Sequence, residues 1–224
     1  MAGPSSSMTA EPAAREGTPP VKPESRGMDA TPVIVDPDLD AIPGAAQQVQ
    51  QALAAFVDAT RSFPELQKGS RPAAPDDVEV IAPVLQPLMA EKAWADAADQ
   101  IRSGWLPVWY PGGNPAVLFA ISDPDIPKHL IPNDDGYTFT HSGKNPMTLS
   151  VADTGEPGTY VGVDGADFQM AFTNTLGEVV VIRMTMDYVF TPGADGAWDV
   201  WQWNGVPEYF IADTQEKLDS LPEF

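Results

Sequence analysis

The clearest pattern of apolar and polar positions lies between Glu178 and Gly205, where EVVVIRMTMDYVF leads through PGADG into WDVWQWNG. Val180, Ile182, Met184, Met186, Tyr188 and Phe190 fall on one side of an extended chain, and Val179, Val181, Arg183, Thr185, Asp187 and Val189 on the other. Successive side chains of a strand point to opposite faces, so alternation held this long predicts a half-buried antiparallel strand. Its Arg183 and Asp187 side is expected to face water. PGADG is a turn signal, which makes the Trp-rich run the expected second arm of a hairpin. Simple alternation then puts Trp198 and Val200 on one face and Trp201 and Trp203 on the other.

Upstream the period changes. In AAQQVQQALAAFVDATRSF, Ala46, Val49, Leu53, Phe56, Val57 and Thr60 recur at helical spacing, and the helix is expected to end near Phe63 because Pro64 disfavours helical backbone before it. Asp76 is the expected cap of a second helical segment that Pro83 and Pro87 interrupt, leaving a short helix or turn-rich piece. A better helix then runs from about Leu88 to Ser103, with Trp94, Ala97, Ala98 and Ile101 as its buried stripe and Gly104 as its stop. Strand candidates follow: LPVWY from Leu106, AVLFAIS from Ala116, YTFTH from Tyr137, MTLSVA from Met147, TYVGV from Thr159 and DFQMAFTN from Asp167. The tract VDGAD between the last two reads as a turn.

These elements predict an α+β fold, with amino-terminal helices packed on a curved, mainly antiparallel sheet in a cone-like arrangement. A β-sandwich or roll with helices at one end is the alternative. The expected domain covers residues 44–213, with 214–224 as a short tail or helix. Residues 1–43 hold many of the 24 prolines and read as a disordered tail. Within it, VIVDPDLD is a candidate edge strand or peptide ligand.

Composition narrows the function classes. Acidic residues outnumber basic ones 32 to 12, for a net charge of −20, and such a field repels phosphate backbones and anionic lipids. Nucleic acid is therefore not an expected partner. No apolar run is long enough to cross a bilayer and the amino terminus has no signal-peptide pattern, so membrane insertion is not expected and a cytoplasmic location is the default. The absence of cysteine excludes disulfides and thiolate chemistry.

The order of parts, with AAFVDAT in the first helix and a closing hairpin carrying Trp198, Trp201 and Trp203, resembles the nuclear-transport-factor-like (cystatin-like cone) superfamily. The resemblance covers about Gly44 to Phe210 and implies a bent sheet wrapped around a long helix. It also implies use of that cone either as a small-molecule pocket or as a binding and dimerising surface. In the enzymatic branch, Asp, His and Tyr side chains point into the cavity, which makes His141, Asp187 and Tyr188 the candidates here. A histidine beside aromatics suits a general base, and a buried carboxylate has its pKa raised. Against this, a lone strand-end His141 without an orienting partner has a plainer account as a turn residue, as does His129 in its proline-flanked loop.

No nucleotide, hydrolase or metalloprotease motif occurs, and DPDLD at Asp36 to Asp40 lacks the Gly and closing Glu of a calcium loop. No cofactor or metal is expected. The surplus of tryptophan favours contact with something outside the core, and Trp201, Trp203 and Tyr209 are the expected binding residues. The leading expectation is a non-catalytic binding or assembly module, with a protein partner or self-association, or a small-molecule ligand. A small-molecule isomerase, hydratase or cyclase, and an acidic inhibitor or immunity-type protein, are the alternatives. Whether the chain is an enzyme stays open, leaning against.

Overall fold

A computed structural model describes residues 20–21, 31–60, 75–103, 132–141 and 145–221. Helix α1 (Ala45–Thr60) forms where the apolar spacing places it, burying Val49, Leu53, Phe56, Val57 and Thr60, with Ala45 rather than Ala46 completing the stripe. Helix α2 (Asp77–Leu85) carries Pro83, a 3-10 turn (Gln86–Leu88) carries Pro87, and α3 (Glu91–Arg102) starts afresh beyond them. In α3 the buried residues are Ala93, Ala97, Ala98 and Ile101, while Trp94 packs only in part against the core. Asp76 is the N-cap residue of α2, as expected, and its carbonyl accepts from the Glu79 amide at 3.0 Å, but with helical backbone its side chain makes no capping hydrogen bond.

Among the described residues, six strands form one sheet: β1 (Val33–Val35), β2 (Pro132–His141), β3 (Met147–Val151), β4 (Val161–Asn174), β5 (Val179–Pro192) and β6 (Trp198–Ala212). Their order is β1-β3-β4-β5-β6, with β2 also paired to β4. The β1–β3 pair is parallel and every other pair antiparallel. Helices α1 to α3 contribute to one apolar core with Phe168, Met170, Phe172, Ile182, Met184, Met186 and Tyr188, which settles the class as α+β. A sandwich would need a second sheet, and none exists among the described residues.

Two expectations about the course of the chain change. The tract VDGAD is no turn: β4 runs through it, pairing with β3 as far as Asp164 and with β2 from Phe168, while its register against β5 shifts between Val163 and Ala166. Gly165 adopts φ 75, so the chain bulges and bends instead of reversing. The folded part also begins before Gly44. The Asp36 amide donates to Leu149 O at 2.8 Å, Met147 donates to Pro32 O at 2.9 Å, and Leu39 is buried. Residues 31–43 therefore belong to the domain and not to a tail, because the VIV run finds an edge of β3 to pair with. The strand candidates from Leu106 and Ala116 lie outside the described residues.

The sheet's other face is covered in part by α4 (Gln215–Asp219), whose Leu218, with Leu221 beyond it, packs on Ala171, Val179 and Val181. Thr214 Oγ1 caps α4 by accepting from the Lys217 amide. Arg183 lies on this face as the alternation requires, yet it is buried, which corrects the expectation of exposure. Its guanidinium sits 5.1 Å from the Phe210 ring centre and its Nε donates to Gln169 Oε1 at 3.3 Å. Burial lowers its pKa, and the charge of Glu208 works in the opposite direction.

Candidate functional site

The cross-strand register of β6 decides the site. Phe190 pairs with Val200 and Val189 with Gln202, so Trp201 is one residue too many for its partner strand. Such a bulge resets the alternation behind it. Trp203 then pairs with Tyr188, and Trp198 with Pro192, which places Trp203 on the same face as Trp198 and Val200. This corrects the expected grouping of Trp201 with Trp203. Trp203 is half-buried and packs against the core, whereas Trp201 lies edge-on to Tyr160, with ring centres 5.0 Å apart at 62°.

Helix α3 is held beside the bulge by backbone. The Ala90 amide donates to Val200 O at 2.8 Å, and Met89 bridges to Val200. From that anchor, Ala93, Asp96, Asp99, Gln100 and Ser103 form one stripe of α3 at i, i+3, i+6, i+7 and i+10, facing Trp201, Gln202 and Trp203. Between the two walls is an open groove of about 680 Å³. One wall is acidic and hydrogen-bonding, and the other is largely indole.

The charges around it are unevenly paired. Lys92 Nζ lies 5.1 Å from the centre of the Trp201 ring and 3.3 Å from Glu156 Oε1. Asp99 Oδ1 accepts from Arg102 Nη1 at 2.9 Å in an exposed i, i+3 pair. Asp96 has no ion-pair partner among the described residues. A smaller groove of about 340 Å³ lies at the tip of the β5–β6 hairpin, beside α1 and the 3-10 turn. There Trp198 Nε1 donates to Gln48 Oε1 at 2.9 Å, and the Asp199 carboxyl is pushed up by burial and then by repulsion from Asp195.

The catalytic candidates are not brought together. His141 is the last residue of β2, opposite Phe168, and its side chain, like all of His129, lies outside the described residues. Asp187 is half-buried on the sheet's outer face, where its Oδ1 accepts from the Gly165 amide at 2.9 Å and secures the β4 bulge. The neighbouring Asp164 carboxyl is raised by burial and by the charge of Asp187. Tyr188 projects from the opposite face, fully buried, and its hydroxyl has no hydrogen-bond partner among the described residues. Burial, reinforced by Asp187, pushes its ionisation well above the ordinary tyrosine value and so favours the neutral phenol over the phenolate.

Neither Asp187 nor Tyr188 lines either groove. Tyr209, paired with Ile182 and 47% exposed, stands farther along β6 and outside the groove lining. Among the described residues no three His, Asp or Glu side chains gather as a metal site, and no helix is long and apolar enough to cross a membrane. The residues that sequence reasoning missed are Asp96, Asp99, Gln100 and Ser103. Their common stripe is readable from helical spacing, but the wall it faces is not. No protein-family model matches the chain, and no curated protein matches it in sequence.

Proposed function

We propose that the chain is a non-catalytic binding or assembly module whose contact site is the groove between α3 and β6. One observation carries this reading: the Trp201 bulge leaves two indoles on the wall of an open groove instead of folding both into the core. Large aromatics are the usual energetic anchors of contact sites, and a concave surface of this size suits a ligand or a partner segment. The separation of Asp187 from Tyr188 onto opposite faces speaks against an acid-base pair. Helices followed by a mainly antiparallel sheet, with α1 to α3 on one face, support kinship with the nuclear-transport-factor-like superfamily, where such surfaces serve binding and dimerisation.

The test places a photo-crosslinking amino acid at Gln202, inside the groove, and at Glu216 on α4 as a control. Light scattering on the same material reports self-association. Adducts from position 202 well above those from 216 support the module, and equal yields overturn it. A second reading, a small-molecule pocket within the core, is favoured by the orphan Tyr188 hydroxyl. It predicts that Tyr188→Phe weakens the protein instead of strengthening it.

A further inference from the structure

Resting on the binding-module reading, the geometry points to the class of group the groove takes: we infer that it receives arginine or lysine side chains presented by a basic segment of a partner protein. The two walls are complementary to that chemistry in different ways. Trp201 and Trp203 line one wall, and an indole ring attracts a cation through its quadrupole, an interaction that strengthens as water is excluded. Opposite them, Asp96 and Asp99 supply carboxylates that accept charge-assisted hydrogen bonds, bidentate ones from a guanidinium.

The site already displays this preference with a residue of its own. The Lys92 ammonium rests over the Trp201 ring at 5.1 Å, so that ring already holds a cation in the folded protein, and an incoming one takes the place of Lys92. Besides the ring, Lys92 makes an exposed contact with Glu156, with side chains 63% and 51% accessible, and pairs of that kind contribute little. The Asp99–Arg102 pair is equally exposed, at 54% and 80%, so Asp99 is exchangeable towards an incoming cation. Asp96 needs no exchange at all.

Length and field argue for a segment and not a free small cation. A groove of about 680 Å³ holds more than one side chain. Gln100, Ser103 and Gln202 along it are neutral hydrogen-bonding groups suited to a peptide backbone. The net charge of −20 adds long-range attraction for a basic partner and repulsion for an acidic one.

The experiment follows the Trp201 and Trp203 indole N–H signals by NMR during titration of the full chain. One probe is a short peptide carrying two arginines, and the other is its glutamine-substituted counterpart. The inference expects saturable shifts of both indoles with the arginine peptide only. The double variant Asp96→Asn with Asp99→Asn should bind at least about tenfold more weakly. Glu79→Gln with Glu216→Gln, which removes the same charge from α2 and α4, should change affinity less than about twofold.

If both double variants weaken binding alike, the peptide responds only to the general acidic field and the inference falls. If the glutamine peptide binds as well as the arginine one, the cationic specificity falls while the groove stands as a contact site. Indoles that respond to neither peptide also overturn the cationic assignment, and the crosslinking at Gln202 then decides the module reading separately.

Discussion

Removing one oxygen atom from the core should strengthen this protein. The Tyr188 ring is fully buried, edge-on to Phe56 at 6.0 Å and tilted against Phe190 at 6.1 Å, and its hydroxyl meets no partner among the described residues. A buried polar group without a partner forfeits its hydrogen bonds to water, at about 1–3 kcal/mol. Tyr188→Phe keeps the ring and both aromatic contacts, so the expected gain is about 1–2 kcal/mol, the lower part of that range allowing for the small void left. For a domain of this size that raises Tm by roughly 2–4 °C per kcal/mol. Urea unfolding followed by tryptophan fluorescence should show a higher midpoint at unchanged slope.

The pH dependence supplies a second arm. The folded pKa of Tyr188 is raised, so its protonated form contributes stability that is complete below the unfolded value of about 10 and is lost as pH climbs towards the folded value. Above about pH 10 the wild type should therefore lose up to about 1.4 kcal/mol per pH unit relative to Tyr188→Phe. A variant that is less stable than wild type at neutral pH would refute the reasoning, because it would mean that the hydroxyl is satisfied by a bound molecule within the core.

The bulge makes the two groove tryptophans unequal. Trp203→Ala, which removes a ring packed on the core, should cost about 2–3 kcal/mol in chemical unfolding, whereas Trp201→Ala should cost about 1 kcal/mol or less; the reverse order would contradict the observed register. At Gly205 a Cβ would land on the Met186 sulfur, so Gly205→Ala should destabilise by about 1–3 kcal/mol, and Met186→Ala in the same chain should recover part of that loss in a double-mutant cycle. Asp199 has a raised folded pKa, so its proton is bound more tightly in the native state, and wild-type stability should improve relative to Asp199→Asn as pH falls through the carboxylate range. Midpoints measured at about pH 7 and about pH 3.5 check this, and a gap that is the same at both values removes the argument.

Burial on one side of an element leaves its period in the sequence, which is why so much of β5 and α1 was legible. The whole face from Val180 to Phe190 and the stripe Val49, Leu53, Phe56, Val57 and Thr60 follow from spacing alone. Even the paired edge strand at Val33 was visible as an apolar run, although its docking depends on β3, more than 100 positions away. What local pattern cannot carry is register. The glycine in VDGAD permits either a reversal or a bulge, and pairing with β2, β3 and β5 chose the bulge.

The Trp strand shows the same division. Its composition announced a surplus of indole, but counting by twos assumed an unbroken ladder and so put Trp203 on the wrong face. Only the pairing of Val189 with Gln202 and Phe190 with Val200 isolates Trp201 as the extra residue. The groove itself needs a backbone bond between Ala90 and Val200, residues from separate elements that nothing in either local sequence connects. The sequence by itself thus determined which faces avoid water, because that is a property of each element alone. The tertiary structure decided what those elements place opposite one another, because contact energy belongs to pairs of elements and is written in neither.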